Sequence, residues 1–154
     1  SEVALTDETV RIGIAGDGFM RTEMEAYFKE RGLLERVTFY GNLTQATLAP
    51  LYAQSYAYVH TAGWEGWGMP MIESIAAGCP VVTTDSGCAG EAIRHNETGL
   101  VVPVADAAGL VRETKRLLAD ATLWQQLAQR GKAESADWSL HGLTNKLVAW
   151  YEHA

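Results

Sequence analysis

Two carboxylates, Glu65 and Glu73, bracket the stretch Glu65-Gly66-Trp67-Gly68-Met69-Pro70-Met71-Ile72-Glu73. Glu65 lies in the glycine-rich loop Gly63-Trp64-Glu65-Gly66-Trp67-Gly68, and Pro70 suits the first position of a helix that would carry Glu73. A loop running into a helix N-terminus offers unpaired backbone N–H groups and the positive end of a dipole. That combination suits an anion such as a diphosphate. A carboxylate beside a phosphate is costly unless it accepts hydrogen bonds, and sugar hydroxyls are its natural donors. A diphosphate with hydroxyls describes a nucleotide sugar.

The elements that must hold this loop alternate between β-rich runs and helical stripes. Val10–Ala15 reads as a strand ending in Gly16-Asp17-Gly18. A helix with Met20, Met24, Tyr27 and Phe28 on one stripe follows, and Gly32 stops it. Val37–Tyr40 reads as a strand turning at Gly41-Asn42. A short helix through Leu48, Leu51 and Tyr52 leads to the run Tyr56–His60. After the Pro70 helix, with Met71, Ile72, Ile75 and Ala76, Gly78 marks a stop. Pro80–Thr84 and Gly99–Val102 read as further strands. Asp106 is placed to cap a helix with Leu110, Val111, Thr114, Leu117 and Leu118 at spacings of three and four. Helical segments around Leu123–Gly131 and Leu140–Glu152 close the chain.

Such alternation implies βαβ units: an α/β, Rossmann-like parallel sheet flanked by helices. Ligands of these sheets bind at the carboxyl ends of strands. The loops Gly16–Phe19, Gly41–Thr44, Thr61–Gly68 and Thr84–Gly90 are the ones to search, and the surplus of glycine falls in them. His60 ends a strand and reads as structural, with a contact to the donor as the alternative. Glu91 reads as a capping or pairing residue, and His95, His141 and His153 as surface residues.

The stretch Glu65–Glu73 resembles the E-x7-E motif of GT4-type glycosyltransferases, which have the GT-B fold. Its flanks are similar to that family in the same order. Ile12–Gly18 resembles a strand ending in G-x-G, and Val37–Leu43 a V-x-F-x-G stretch. Ala77–Val82 resembles A-x-G-x-P-V-V, Gly87–Glu91 resembles G-G-x-x-E, and Asn96–Val102 resembles N-x-T-G-x-L-V. The match runs over roughly residues 10–140.

The resemblance implies that residues 1–154 are the C-terminal, donor-binding domain of a two-domain enzyme, without its acceptor domain and its first strand–helix unit. Glu65 would be the catalytic carboxylate, contacting the donor sugar near the reacting carbon. Glu73 would bind the ribose. The backbone of Gly66, Trp67 and Gly68 would line the sugar and diphosphate, with Gly16 on the same ligand and Asn42 and Leu43 by the base. Retaining, metal-independent transfer of a sugar from a UDP- or GDP-sugar to a glycan or lipid-linked acceptor is implied, as in polysaccharide assembly. No metal or other cofactor is expected. The alternatives are a non-catalytic module that holds a nucleotide sugar, and an epimerase or hydrolase relative of the same fold. The family's donor domain also carries an Arg–Lys pair that neutralises the diphosphate, and Ser1–Thr9 holds no Lys or Arg. That pair and the acceptor domain would come from elsewhere, in cis or in trans.

Composition narrows the rest. Lys and Arg total 12 against 19 Asp and Glu, a net charge of −7, which argues against a sequence-independent grip on nucleic acid. Cys79 and Cys88 have no CxxC spacing and read as small buried hydrophobes. No His–carboxylate spacing suggests a metal site, and no G-x-S-x-G elbow supports hydrolase chemistry. No apolar window spans a membrane, and Ser1–Thr9 lacks the pattern of a signal peptide. The cytoplasm is the expected address, with the full-length protein peripheral to the inner membrane face. Leu143, Leu147, Trp150 and Tyr151 form a stripe expected to pack; left uncovered, it would serve a dimer.

Overall fold

The computed structural model describes residues 1–153, which form two compact units, 1–48 and 49–153. The elements alternate as the sequence implies. In the first unit they are α1 (Glu2–Thr6), β1 (Ile12–Ala15), α2 (Arg21–Glu30) and β2 (Val37–Gly41). Helix α3 (Gln45–Gln54) runs from the first unit into the second. The second unit continues with β3 (Tyr58–His60), α4 (Met69–Ala76), β4 (Val81–Thr84), β5 (Leu100–Val102), α5 (Ala107–Ala119), α6 (Ala121–Ser135) and α7 (Leu140–His153).

In the first unit β1 and β2 pair in parallel, from Ile12 opposite Val37 to Ala15 opposite Gly41. Their apolar face packs with Ala4, Phe28 and Leu33. Helix α1 was not foreseen. It carries no side-chain cap at Ser1, and what holds it is tertiary: Ala4 is buried, and the Arg36 guanidinium donates to the carbonyls of Ala4 (2.7 Å) and Asp7 (3.0 Å).

In the second unit the strand order is β3-β4-β5, all parallel, with Tyr58 opposite Val81 and Val82 opposite Leu100. Strand β4 is buried along its whole length. Adjacent residues of a strand point to opposite faces, and here they enter different cores. Val81 packs with Met71, Ile75 and Ile93, whereas Val82 packs with Leu100, Leu117 and Leu127. Helices therefore cover both faces of this sheet, which is why β4 has no polar side. Asp106 caps α5 as expected, its carboxylate accepting from the Gly109 N–H at 2.8 Å.

The expected α/β architecture is present: every strand pairing is parallel, in the sheets β1-β2 and β3-β4-β5, with helices against them. One expectation needs correction. The stripe on α7 does not pack: Leu143, Leu147, Trp150 and Tyr151 are 43–69% exposed, and no residue of the helix is buried. Periodicity shows that a face is apolar, not that something covers it. Among the described residues no helix is long and apolar enough to cross a membrane.

Candidate functional site

The loop between β3 and α4 is fixed at three points. Thr84 Oγ1, at the carboxyl end of β4, and Ser86 Oγ, just beyond it, both donate to the Ala62 carbonyl (2.6 and 3.2 Å). The Cys88 N–H donates to the Trp67 carbonyl at 2.7 Å. Gly87 lies beneath this contact with φ +61°, where a Cβ would stand 2.6 Å from the Trp67 oxygen and 2.9 Å from Glu65 Cγ. Only glycine permits both the left-handed backbone and the close approach. Gly68 closes the loop as the N-cap of α4, at φ 89°, and supplies no side-chain cap. Pro70 takes the second position of α4 rather than the first.

The Trp67 ring turns away from the loop, packs against the Met71–Ile93 core and lies 5.4 Å from Trp138. Its backbone, not its indole, is what this residue offers to the loop. Trp64 is 85% exposed beside Glu65.

Glu65 Oε1 accepts from the Gly66 N–H at 2.9 Å, and Oε2 stands 3.6 Å from His60 Nε2. His60 Nδ1 is 3.1 Å from the Tyr58 hydroxyl. The Tyr58 ring meets the Tyr52 ring edge-on at 5.5 Å, and the Tyr52 hydroxyl donates to Glu73 Oε2 at 3.5 Å. The two carboxylates singled out in the sequence thus terminate one chain of side chains: Glu65, His60, Tyr58, Tyr52, Glu73. Burial pushes the Tyr58 phenol up to about 12, with the negative fields of Glu65 and Glu73 adding to it. Tyr52 is raised as well, by burial first, then by Tyr58 and Glu73. Both phenols stay protonated at neutral pH and act as neutral donors between two carboxylates.

Tyr52 and Tyr58 were not foreseen as members of this group; His60 was read as structural, with a contact to the donor as the alternative. Tyr58 and His60 are two apart on β3 and share a face, a signal the sequence does carry. Tyr52 is brought in from α3, which only the fold reveals. Of the other foreseen residues, Gly16, Asn42 and Leu43 belong to the first unit. There Gly16 donates its N–H to the Gly41 carbonyl at 2.7 Å, and Asn42 is exposed just beyond β2. Glu91 is exposed, and its carbonyl accepts from Arg94 at 2.9 Å. Among the described residues no group of three or more His, Cys, Asp or Glu is arranged to hold a metal ion.

The model of the family described as glycosyl transferases group 1 matches residues 3–134. The lipopolysaccharide core biosynthesis glycosyltransferase LpsE of Rhizobium meliloti is 34% identical over 122 residues, covering 79% of this chain and 35% of that protein. The N-acetyl-alpha-D-glucosaminyl L-malate synthase of Bacillus anthracis is 28% identical over 148 residues, 96% of this chain and 38% of that protein. The chain therefore spans little more than a third of the length of these curated relatives. Among solved structures, sucrose-phosphate synthase from Thermosynechococcus elongatus superimposes with a TM-score of 0.82 at 26% identity, over 99% of this chain and 41% of that one. HepE from Anabaena, solved in complex with UDP, gives a TM-score of 0.86 at 19% identity, over 99% and 44%. At that identity the likeness is one of fold.

Proposed function

The chain belongs to the glycosyl transferases group 1 family, and from that premise we propose that it holds the nucleotide-sugar donor of a retaining, metal-independent sugar transfer as the C-terminal domain of a GT4-type enzyme. The observation that carries the reading is the linked pair Glu65 and Glu73 around a loop whose backbone is pressed into place by Gly68 and Gly87. Two anchored carboxylates suit a ligand rich in hydroxyls. The backbone N–H groups of Trp67 and Gly68, leading into α4, suit its diphosphate, while Gly66, whose own N–H is given to Glu65, lines the sugar.

On this reading Glu65 takes hydroxyls of the donor sugar and Glu73 takes the ribose. In the transfer, the bond from the anomeric carbon to the diphosphate oxygen breaks, and a bond from the acceptor oxygen forms on the same face. The acceptor proton passes to the leaving diphosphate. The charge of Glu65 favours the positive character that develops at the anomeric carbon. The acceptor is a glycan or lipid-linked sugar, bound by a further domain in cis or in trans.

Calorimetry with UDP-glucose, UDP, GDP-mannose and GDP tests the assignment. Glu73→Ala weakens the nucleoside diphosphate and its sugar alike, whereas Glu65→Ala weakens only the sugar-bearing ligand. Equal losses for both ligands in both variants would remove the assignment.

A further inference from the structure

We propose that His60, held by Tyr58, is a positioning residue that fixes the carboxylate of Glu65 for the donor sugar. The inference rests on the reading that Glu65 receives sugar hydroxyls. It starts from His60 Nε2, which is screened from solvent and has no hydrogen-bond partner among the described residues. A nitrogen so enclosed does not reach a ligand. The acceptor it faces is Glu65 Oε2, 3.6 Å away, just beyond hydrogen-bond distance.

The geometry assigns the proton. An unprotonated Nε2 would set a lone pair against a carboxylate, so the neutral ring carries its proton on Nε2. Nδ1 then accepts, and the Tyr58 hydroxyl, 3.1 Å away, donates. Tyr58 thereby selects the tautomer that points an N–H at Glu65. The other oxygen of that carboxylate is already held by the Gly66 N–H. A shift of a few tenths of an ångström brings Oε2 onto Nε2–H and satisfies a buried donor that otherwise has no partner. Glu65 is then held from both oxygens, by a backbone N–H and an imidazole N–H. Its plane is set, its charge is kept, and its outer lone pairs are left for hydroxyls.

The test compares the affinity of a nucleotide sugar with that of its parent nucleotide, UDP-glucose with UDP and GDP-mannose with GDP, on this chain. In His60→Ala the ratio falls about tenfold, the scale of one hydrogen bond to a charged group, while the affinity for the nucleotide alone is kept. That retained affinity shows that the variant folds. His60→Gln, whose amide N–H can stand where Nε2–H stood, recovers most of the ratio. Tyr58→Phe loses part of it. Nitrogen NMR of the wild type shows the proton of His60 on Nε2.

An unchanged ratio in His60→Ala, or a His60→Gln variant as poor as His60→Ala, overturns the proposal. A proton on Nδ1 does the same. If Glu65→Ala lowers the ratio and His60→Ala does not, only the role of His60 fails. If Glu65→Ala also leaves the ratio unchanged, or neither sugar nucleotide binds, the underlying reading fails with it.

Discussion

Gly87→Ala is the substitution by which the loop architecture is most directly tested. The residue has φ +61°, and an added Cβ meets the Trp67 carbonyl oxygen at 2.6 Å. The left-handed backbone alone costs an alanine roughly 1–2 kcal/mol. The obstruction is backbone rather than a flexible side-chain tip, so relief requires Trp67 to withdraw. Withdrawal breaks its hydrogen bond from the Cys88 N–H, worth about 1 kcal/mol. Together the variant should lose roughly 2–3 kcal/mol, or a urea midpoint lower by roughly 1–2 M at ordinary m-values. Gly90→Ala supplies the control. Gly90 has φ +84° but open space where its Cβ would go, so it carries the backbone cost without the collision. The five tryptophans all lie in the second unit, and urea titrations followed by their fluorescence therefore report on the unit in question. Gly87→Ala should fall below Gly90→Ala by at least about 1 kcal/mol, the value of the lost bond. Equal midpoints for the two variants would refute the claim that close approach at Trp67 holds the loop.

Glu134 accepts from Arg94 and Arg130, which hold its carboxyl below the usual range. A depressed carboxylate contributes stability above its unfolded value, about 4.3, and that contribution is lost as pH falls through the folded value. Glu134→Gln should therefore lower the urea midpoint at pH 7 and flatten its fall below pH about 4; an unchanged slope would dismiss the network as a stabiliser. Burial pushes the Cys88 thiol up to about 11 and raises Cys79 as well. At pH 8 only about one Cys88 in a thousand is thiolate, so neither cysteine should react with Ellman's reagent until urea unfolds the chain. Rapid labelling of the folded protein would contradict their burial.

How much of this was legible in the sequence depended on where the information lay. The cap at Asp106, the stop of α4 at Gly78 and the glycine-rich loop are local signals, and each is found where its residues place it. All strands but β2 came out shorter than their β-rich runs. Tyr56 and Ala57 precede β3 because pairing with β4 begins at Tyr58, opposite Val81, and a strand is as long as its partner allows. Helix α1 left no usable local signal, since Ala4 and Asp7 are held by Arg36, 32 and 29 residues away. At the candidate site, Glu65 and Glu73 stood out by spacing. Of the side chains that link them, Tyr58 and His60 share a face of β3 by their spacing of two, whereas Tyr52 reaches Glu73 and Tyr58 only because α3 is folded alongside them.

The way each carboxylate is satisfied separates Glu65 from the acidic residues that merely hold the fold. Glu134 has one oxygen on Arg130 and the other on Arg94, and Glu113 is shared in the same manner by Arg112 and Arg116. In those pairs the charge is neutralised and both oxygens face the protein, as structural ion pairs require. Glu65 has a backbone N–H on one oxygen and an imidazole beyond hydrogen-bond distance from the other. A carboxylate offers about four lone-pair sites, so Glu65 retains both its charge and room for further donors. Its side chain is still about one-third exposed. A surface carboxylate with no function could be equally open, but it would not be tied at the backbone, faced by an imidazole nitrogen screened from solvent and pinned beneath by Gly87. The protein restrains this side chain without consuming its acceptors. That is the arrangement needed to receive hydroxyl groups in a fixed orientation.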